Sequence, residues 1–363
     1  MAISGVRVGI DLEQNSVAGV QLKGSVLTHV QVRARQEGLI FEGEVLAGEH
    51  LAAELKTFWK EAGFTGKRFS LGIANQKIVV RTEFVPLIAD DKELRPAVEF
   101  WANESIPIPP ENRILDFDRL DTVTSDDGSA RQRVLVVAAQ SDMVQQYTEV
   151  AKKAGLVLDG IDLQAFAVVR AMGPRVAFVD QGASTGAQAV ALVNIGKGMT
   201  SLAVVANGAP LFTRVIGRGY ETLVDALVTN RGLEWNDADV MRMYVGFQGS
   251  QQALGDYEAQ TVEEVRGVVD GAGEVIADEI RRSIDYYHSL EISGPVSEVL
   301  LSGEGALTLN ICEYLGQALH TVVELGHPLQ YIAENKSKVP DLELQAMAPR
   351  LAIALGLALE DEG

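Results

Sequence analysis

Apolar residues at the start of the chain come in short alternating blocks. Val6 to Asp11 is expected to form a strand that ends in a polar residue, Ser16 to Leu22 a second strand, Lys23-Gly24 a turn, and Val26 to Arg35 a third strand. Three antiparallel strands in succession exclude a dinucleotide-binding opening, in which a helix follows the first strand. The period then changes to helical: Leu51, Leu55, Phe58 and Trp59 share one face between Gly48 and Ala62, and Gly63 is the stop. Phe69 to Ala74 and Ile78 to Val85 are expected to form a hairpin around Asn75-Gln-Lys77. Asp91 to Glu104 has helical spacing through Leu94, Val98 and Trp101. The segment Ile106 to Pro110 cannot be helix, because its prolines lack donors and push their predecessors into extended backbone. Strands at Leu115 to Leu120 and Arg133 to Ala139, a helix from Ser141 to Ala154, a strand at Leu156 to Ile161 and a short apolar helix at Gln164 to Met172 follow.

The opening pattern then returns. Strands are expected at Val176 to Val179, Ala187 to Val193, Thr200 to Ala206 and Pro210 to Ile216, then a helix at Tyr220 to Asn230, about 180 residues after the first occurrence. A repeated supersecondary unit implies two pseudo-symmetric lobes with a cleft between them. Asn236 to Phe247 and Glu258 to Leu290 are expected helices, the second loosened in its middle by Gly267, Gly271 and Gly273. A buried strand at Val296 to Leu301, a glycine turn at Gly303 to Gly305, a helix at Asn310 to Leu319, a strand at Val322 to Leu325 and a closing helix at Leu344 to Leu359 complete the α/β pattern.

Composition narrows the function. The chain has 363 residues with 47% hydrophobic and 22% charged, an ordinary globular mixture. Acidic residues outnumber basic ones 50 to 31, giving a net charge of -19, a field that repels phosphate backbones and anionic headgroups. Nucleic-acid partners and direct membrane insertion are therefore not expected. Cys312 is the single cysteine, which excludes an internal disulfide and any multi-thiolate metal site. The histidines show no ligand spacing. The N-terminus carries no export signal, and the longest apolar runs fall well short of the roughly 20 residues that span a bilayer. A reducing cytoplasm is the expected location.

Three glycine-containing or polar strand ends carry the candidate chemistry. They are Asp11 to Ser16, Asn194 to Thr200 and Ser302 to Ala306. Free amides in such turns make anion-binding concavities, although each turn taken singly is equally an ordinary hairpin. In order and spacing they resemble the phosphate and adenosine loops of the actin, Hsp70 and sugar-kinase ATPase superfamily, with two ribonuclease-H-like domains flanking a nucleotide cleft. Gln164 to Ala171 and Leu351 to Leu359 match its two connecting helices.

A narrower resemblance is to the PilM family of type IV pilus assembly, itself similar to the division protein FtsA. It rests on Glu104 to Pro109 with Ile114 to Phe117, Ala154-Gly-Leu156 with Ile161 to Ala167, Gly208 to Arg214, and Glu279 to Tyr287, and covers the chain from about Val6 to Leu359. It implies an actin-like fold with a first ribonuclease-H-like domain at 1–75, 162–185 and 345–363, and an inserted FtsA/PilM-type subdomain at 76–161. The second ribonuclease-H-like domain is expected at 186–344, with a helical subdomain at about 225–290.

The same resemblance implies ATP with Mg2+ as cofactor, held by Asp11, Glu13, Asn15, Ser16, Asn194, Gly196, Lys197, Gly198, Thr200, Gly219, Glu279, Arg282, Gly303, Glu304, Gly305 and Ala306. Asp11 and Asn194 would reach the metal through water, and Gln164 would position the attacking water if hydrolysis occurs. Competing readings make Gln164 a capping or core-edge residue, Asp162 the cap of the same helix, and Glu279 with Arg282 an exposed pair. Asp116 and Asp118 share a strand face as solvated charges.

Three positions depart from the family pattern. Glu13 stands where a glycine is usual and repels a triphosphate, Asn194 replaces an aspartate and weakens metal binding, and Glu304 replaces another glycine. ATP binding is therefore expected to be weak, with slow turnover at most. The implied function is a cytoplasmic scaffold that binds the tail of a PilN-like inner-membrane protein in a groove lined by Ile78 to Pro86 and Phe100 to Asp118. Other pilus assembly proteins and a second copy of the chain are further expected partners. A small-molecule (sugar) kinase is the alternative, disfavoured by the altered loops and the lack of a general base. An FtsA-like division protein is another, disfavoured by the acidic end Leu359 to Gly363.

Overall fold

The N-terminal alternation folds into β1 (Val6–Leu12), β2 (Ser16–Lys23) and β3 (Val26–Ala34), an antiparallel meander. The structure is a computed structural model that describes residues 5–124, 130–173, 189–206, 208–290 and 294–359. A two-residue hairpin, β4 (Ile40–Phe41) and β5 (Glu44–Val45), leads to α1 (Gly48–Glu61), which buries Leu51, Leu55, Phe58 and Trp59. Next come β6 (Arg68–Ile73), β7 (Val79–Pro86), α2 (Asp91–Ser105), β8 (Arg113–Thr124), β9 (Ala130–Gln140), α3 (Ser141–Ala154), β10 (Val157–Leu163) and α4 (Gln164–Met172). The second half holds β11 (Ala189–Ile195), β12 (Thr200–Ala206), β13 (Ala209–Ile216), α5 (Glu221–Arg231), α6 (Trp235–Tyr244) and α7 (Ala259–His288). It closes with β14 (Val296–Ser302), α8 (Ile311–Leu319), β15 (Val322–Leu325), β16 (Glu334–Asn335), α9 (Asp341–Met347) and α10 (Ala352–Ala358).

The expected repeat is present in the strand order. One sheet runs β10-β6-β1-β2-β3-β16, the other β13-β12-β11-β14-β15, so β6-β1-β2-β3 and β14-β11-β12-β13 correspond. Asp11 lies opposite Gly72 of the parallel neighbour, and Asn194 opposite Ser302. The hairpin turns match bond for bond: Glu13 N–H donates to Ser16 O at 3.0 Å, and Gly196 N–H to Met199 O at 2.9 Å.

Helices α4 and α10 lie between the sheets. Ala167, Val168 and Ala171 pack with Ala352 to Leu355, with Ala18, Val20 and Leu22 from one sheet, and with Leu192, Ala203 and Val205 from the other. A Cβ on Gly356 would enter the carbonyl of Ala167, so the small residues of both helices set how closely they cross. The third sheet, β7-β9-β8, carries α2 on one face, where Leu94, Val98, Ala102, Ile106 and Ile108 bury against Val85, Val134, Val136 and Ala138.

Three sequence expectations are corrected. The segments at Phe69 to Ala74 and Ile78 to Val85 do not pair with each other: β6 pairs with β1 and β10, and β7 pairs with β9. Asn75 turns the chain out of the first sheet, donating to Glu42 O at 2.8 Å and accepting from the Lys77 N–H at 2.7 Å. Helix α7 is continuous through its glycines; Gly273 is required because a Cβ there would strike the Phe247 ring. The closing helix is two helices, because Pro349 tightens 348–351 into a 3-10 turn. The strand expected at Val176 to Val179 lies outside the described residues.

Candidate functional site

Parallel strand ends place the chemistry. The β1 and β11 termini bring Asp11 and Asn194 to the floor of the cleft, both buried. Asp11 Oδ1 accepts from Gln164 Nε2 at 3.1 Å, and Gln164 Oε1 accepts from Ser201 Oγ of the second lobe at 3.2 Å. Burial holds the Asp11 carboxyl well above the usual carboxylate range; the nearby Glu13 charge adds to this and the Gln164 bond opposes it. Asn194 Oδ1 accepts from Ser302 Oγ at 3.0 Å, so the amide of the second loop is committed to the third.

The turn after β1 is joined to the second lobe by consecutive residues. Burial raises the Glu13 pKa to about 7, opposed by the nearby backbone amides of Gln14 and Lys197 and by the Arg35 charge. Gln14 Nε2 donates to Glu221 Oε2 at 3.4 Å, and Asn15 Nδ2 donates to the Tyr220 hydroxyl at 3.0 Å. The buried Arg35 fixes the turn from behind, its Nε donating to Glu13 O at 3.1 Å. Ser16 starts β2 and accepts the Glu13 N–H through its carbonyl.

In the second turn, a Cβ added to Gly196 would lie 2.8 Å from each Glu13 carboxylate oxygen, and one on Gly198 would meet Gln14 and Glu221. Thr200 Oγ1 donates to Arg218 O at 2.8 Å, and Gly219 sits against the carbonyls of Gly196 and Lys197. The Lys197 side chain is 4% exposed; its Nζ pairs with Glu37 and lies 4.2 Å from the Trp235 ring centroid.

The third loop turns at Gly303, whose φ of +85° and contact with Ile195 suit glycine. Gly305 and Ala306 pack below it, Gly305 against Ile195. Glu304 projects to Arg350, with Nη2 to Oε1 at 2.6 Å. The fully buried Arg242 lies beneath: Nε donates to Asp239 at 2.8 Å, Nη1 to Thr308 Oγ1 at 2.7 Å, and the guanidinium is 4.4 Å from the Tyr220 ring centroid.

The first two loops, the third loop and Gln164 thus converge as the sequence pattern expected. Glu279 and Arg282 stand elsewhere, paired at 2.8 Å, with Glu279 also 3.3 Å from Arg214 of β13. Sequence reading missed Arg35, Ser201, Tyr220, Arg242 and Arg350; an isolated arginine or tyrosine in an amphipathic segment carries no local signal of its burial. As arranged, the Glu13 carboxylate fills the space over Gly196, so an anion could take that space only after Glu13 moves. The donor set does not fit a divalent cation, since Asp11 is biased toward its neutral form and Asn194 is neutral and engaged. Among the described residues no group of three or more His, Cys, Asp or Glu side chains could hold a metal ion.

A second concavity, of about 610 Å³, opens between the lobes where β7 and β13, each at the edge of its sheet, face each other. Ile78, Val80, Phe84, Leu135, Leu211 and Phe212 give it apolar walls. Ile78 to Phe84, expected to line a groove for a partner tail between the first domain and the inserted subdomain, lines this concavity together with Leu211 to Val215 of the second lobe. In the stretch Phe100 to Asp118, α2 instead covers the opposite face of the small sheet and β8 forms its far edge.

Duplicated sheets, two helices between them and hairpin turns converging on one cleft define an actin-like ATPase fold. Residues 9–362 match the family model described as type IV pilus assembly protein PilM, and the chain belongs to that family. Among solved structures, a PilM–PilN type IV pilus biogenesis complex is similar over 98% of each chain, with a TM-score of 0.81 and 23% identity. MreB5 of Spiroplasma citri bound to ADP is similar over 97% of this chain and 94% of its own, with a TM-score of 0.53 and 13% identity. The cell division protein FtsA of Neisseria meningitidis serogroup B is 23% identical over 281 residues, which span 70% of this chain but only 63% of that relative. No helix among the described residues is long and apolar enough to cross a membrane.

Proposed function

We propose that the chain is a scaffold of the type IV pilus inner-membrane platform that binds the cytoplasmic tail of a PilN-like membrane protein in the groove between β7 and β13. The observation that carries this reading is the pairing of two sheet edges with apolar walls. A short extended segment can add its backbone to an unpaired strand and set alternate side chains on Ile78, Val80 and Leu211. Family membership and the likeness to a PilM–PilN complex support the choice of partner. Recruitment to the inner face of the membrane from the cytoplasm would then come from the partner.

The actin-like cleft is read as a weak ATP site. The likeness to an ADP-bound MreB5 supports nucleotide as the ligand class, and the three converging loops supply the amides. Magnesium would have to arrive with the nucleotide rather than be held first by Asp11 and Asn194.

Fluorescence anisotropy with a labelled N-terminal tail peptide of the PilN-like protein tests the scaffold reading. Saturable binding that Leu211→Asp weakens by about tenfold or more supports it. The absence of binding to wild type overturns it.

A further inference from the structure

The two hairpin turns share one backbone hydrogen-bond pattern and differ in their side chains, most sharply at one position. Glu13 and Gly196 occupy the same place in the repeat, each donating its N–H across its own turn. The first has a carboxylate and the second has no side chain. The carboxylate lies over the glycine, with both oxygens 2.8 Å from where a Cβ would be, which brings it against the second turn, where the nearby Lys197 amide, with that of Gln14, favours its charged form. A phosphate in this cleft would use the same amides, because they are the free donors that the hairpins turn inward.

We propose that Glu13 is a built-in stand-in for a nucleotide phosphate, an internal carboxylate that sits against the amides of the facing hairpins and latches the two lobes with no ligand present. The proposal rests on reading the cleft as a nucleotide seat. It explains why a carboxylate is tolerated at a position where it repels the ligand: it supplies the anion that the facing amides need. Bonds from Gln14 to Glu221 and Asn15 to Tyr220 close the same seam on either side. It also explains the turned-away Lys197 ammonium, whose charge is taken by Glu37 rather than by the cleft. Nucleotide then enters only in the fraction of molecules whose Glu13 has swung out, which lowers the apparent affinity by that fraction.

Amide hydrogen exchange on the ligand-free full chain tests the latch, alongside calorimetric titration with ATP and magnesium. In Glu13→Gly the Lys197 amide is expected to exchange about tenfold faster or more, while amides of the central strand β12 keep their protection. The same variant is expected to bind ATP about tenfold more tightly or better than wild type. Glu13→Gln, which keeps an acceptor of the same length, retains part of the Lys197 protection and guards against a folding defect in the glycine variant. Unchanged Lys197 exchange in both variants overturns the latch, as does wild-type ATP binding equal to that of Glu13→Gly. If neither protein binds ATP but Lys197 still loses protection, the latch stands and the nucleotide reading falls.

Discussion

Arg350, in the turn that precedes the last helix, holds the Glu304 carboxylate, its Nη2 donating to Oε1 at 2.6 Å and its Nε lying 2.5 Å from Oε2 as an ion contact outside hydrogen-bond geometry. The contact ties the third loop to the helix pair between the sheets, and it gives the Glu304 carboxylate a partner. Glu304 is 22% exposed, so its charge is only partly hydrated; Arg350 is its nearer cation, and the buried Arg242 Nη2 lies 4.0 Å from the same carboxylate. Arg350→Ala is therefore expected to lower unfolding stability by about 1.5–3 kcal/mol, the scale of hydrogen bonds to charged groups. Adding Glu304→Gly to Arg350→Ala should recover part of the loss, because it removes a half-buried charge whose remaining cation, Arg242, is only at 4.0 Å. Urea unfolding of the single and double variants measures the coupling.

Arg242 is more deeply committed. It is fully buried, bonds Asp239 and Thr308 in different directions, and stacks on Tyr220, whose hydroxyl accepts from Asn15 of the first lobe. Arg242→Ala leaves Asp239 unpaired above a cavity and is expected to cost about 3–5 kcal/mol. Arg242→Lys should rescue little, because an ammonium cannot reach both partners in the guanidinium plane or lie flat on the ring. Chemical denaturation gives the magnitude. A lysine variant as stable as wild type would contradict this account.

The repeat was legible in the sequence because strand alternation and turn residues are local signals, and they recur in register around Asp11 and Asn194. The converging loops followed from that symmetry. What was not legible came from long-range packing. The expected hairpin at residues 69–85 failed because nothing local says that β6 is already flanked by β1 and β10. The glycines of α7 read as a weak point, yet Gly273 is where Phe247 and Tyr314 press against the helix. Pro349 was a local signal overlooked inside an apolar run. The Glu13 substitution was visible from the start, but its consequence depended on the facing glycine 183 positions away in the chain, and that only the fold reveals.

Cys312, the single thiol, sits partly buried near the start of α8. Burial, aided by the Glu324 charge, pushes its pKa from 9.0 up to about 11. The thiolate is the reactive form, so at pH 8 alkylation should run about a hundredfold slower than for an exposed cysteine of ordinary pKa. The sign of the pH dependence follows: the rate rises about tenfold per pH unit and continues to do so up to pH 10, where a normal thiol has already levelled off. Mass-spectrometric labelling with iodoacetamide across that range checks it. Full modification within minutes at pH 7 would show an accessible thiolate instead.

Gly196→Ala isolates the contact between the two hairpin turns. The backbone of Gly196 is not among the positive-φ glycines, so alanine brings no backbone strain there. The nearest atoms to its new methyl group belong to a single neighbour, the Glu13 carboxylate, at 2.8 to 3.0 Å. That separation is too short for a carbon against an oxygen, so the carboxylate has to move off the second turn. The loss comes from overpacking at this contact and should amount to about 1–3 kcal/mol. In a Glu13→Gly background the obstacle is gone, and the same alanine should change stability by less than about 0.5 kcal/mol. A double-mutant cycle by urea unfolding reads the difference directly. Equal costs in both backgrounds would mean that the methyl group clashes with something other than Glu13.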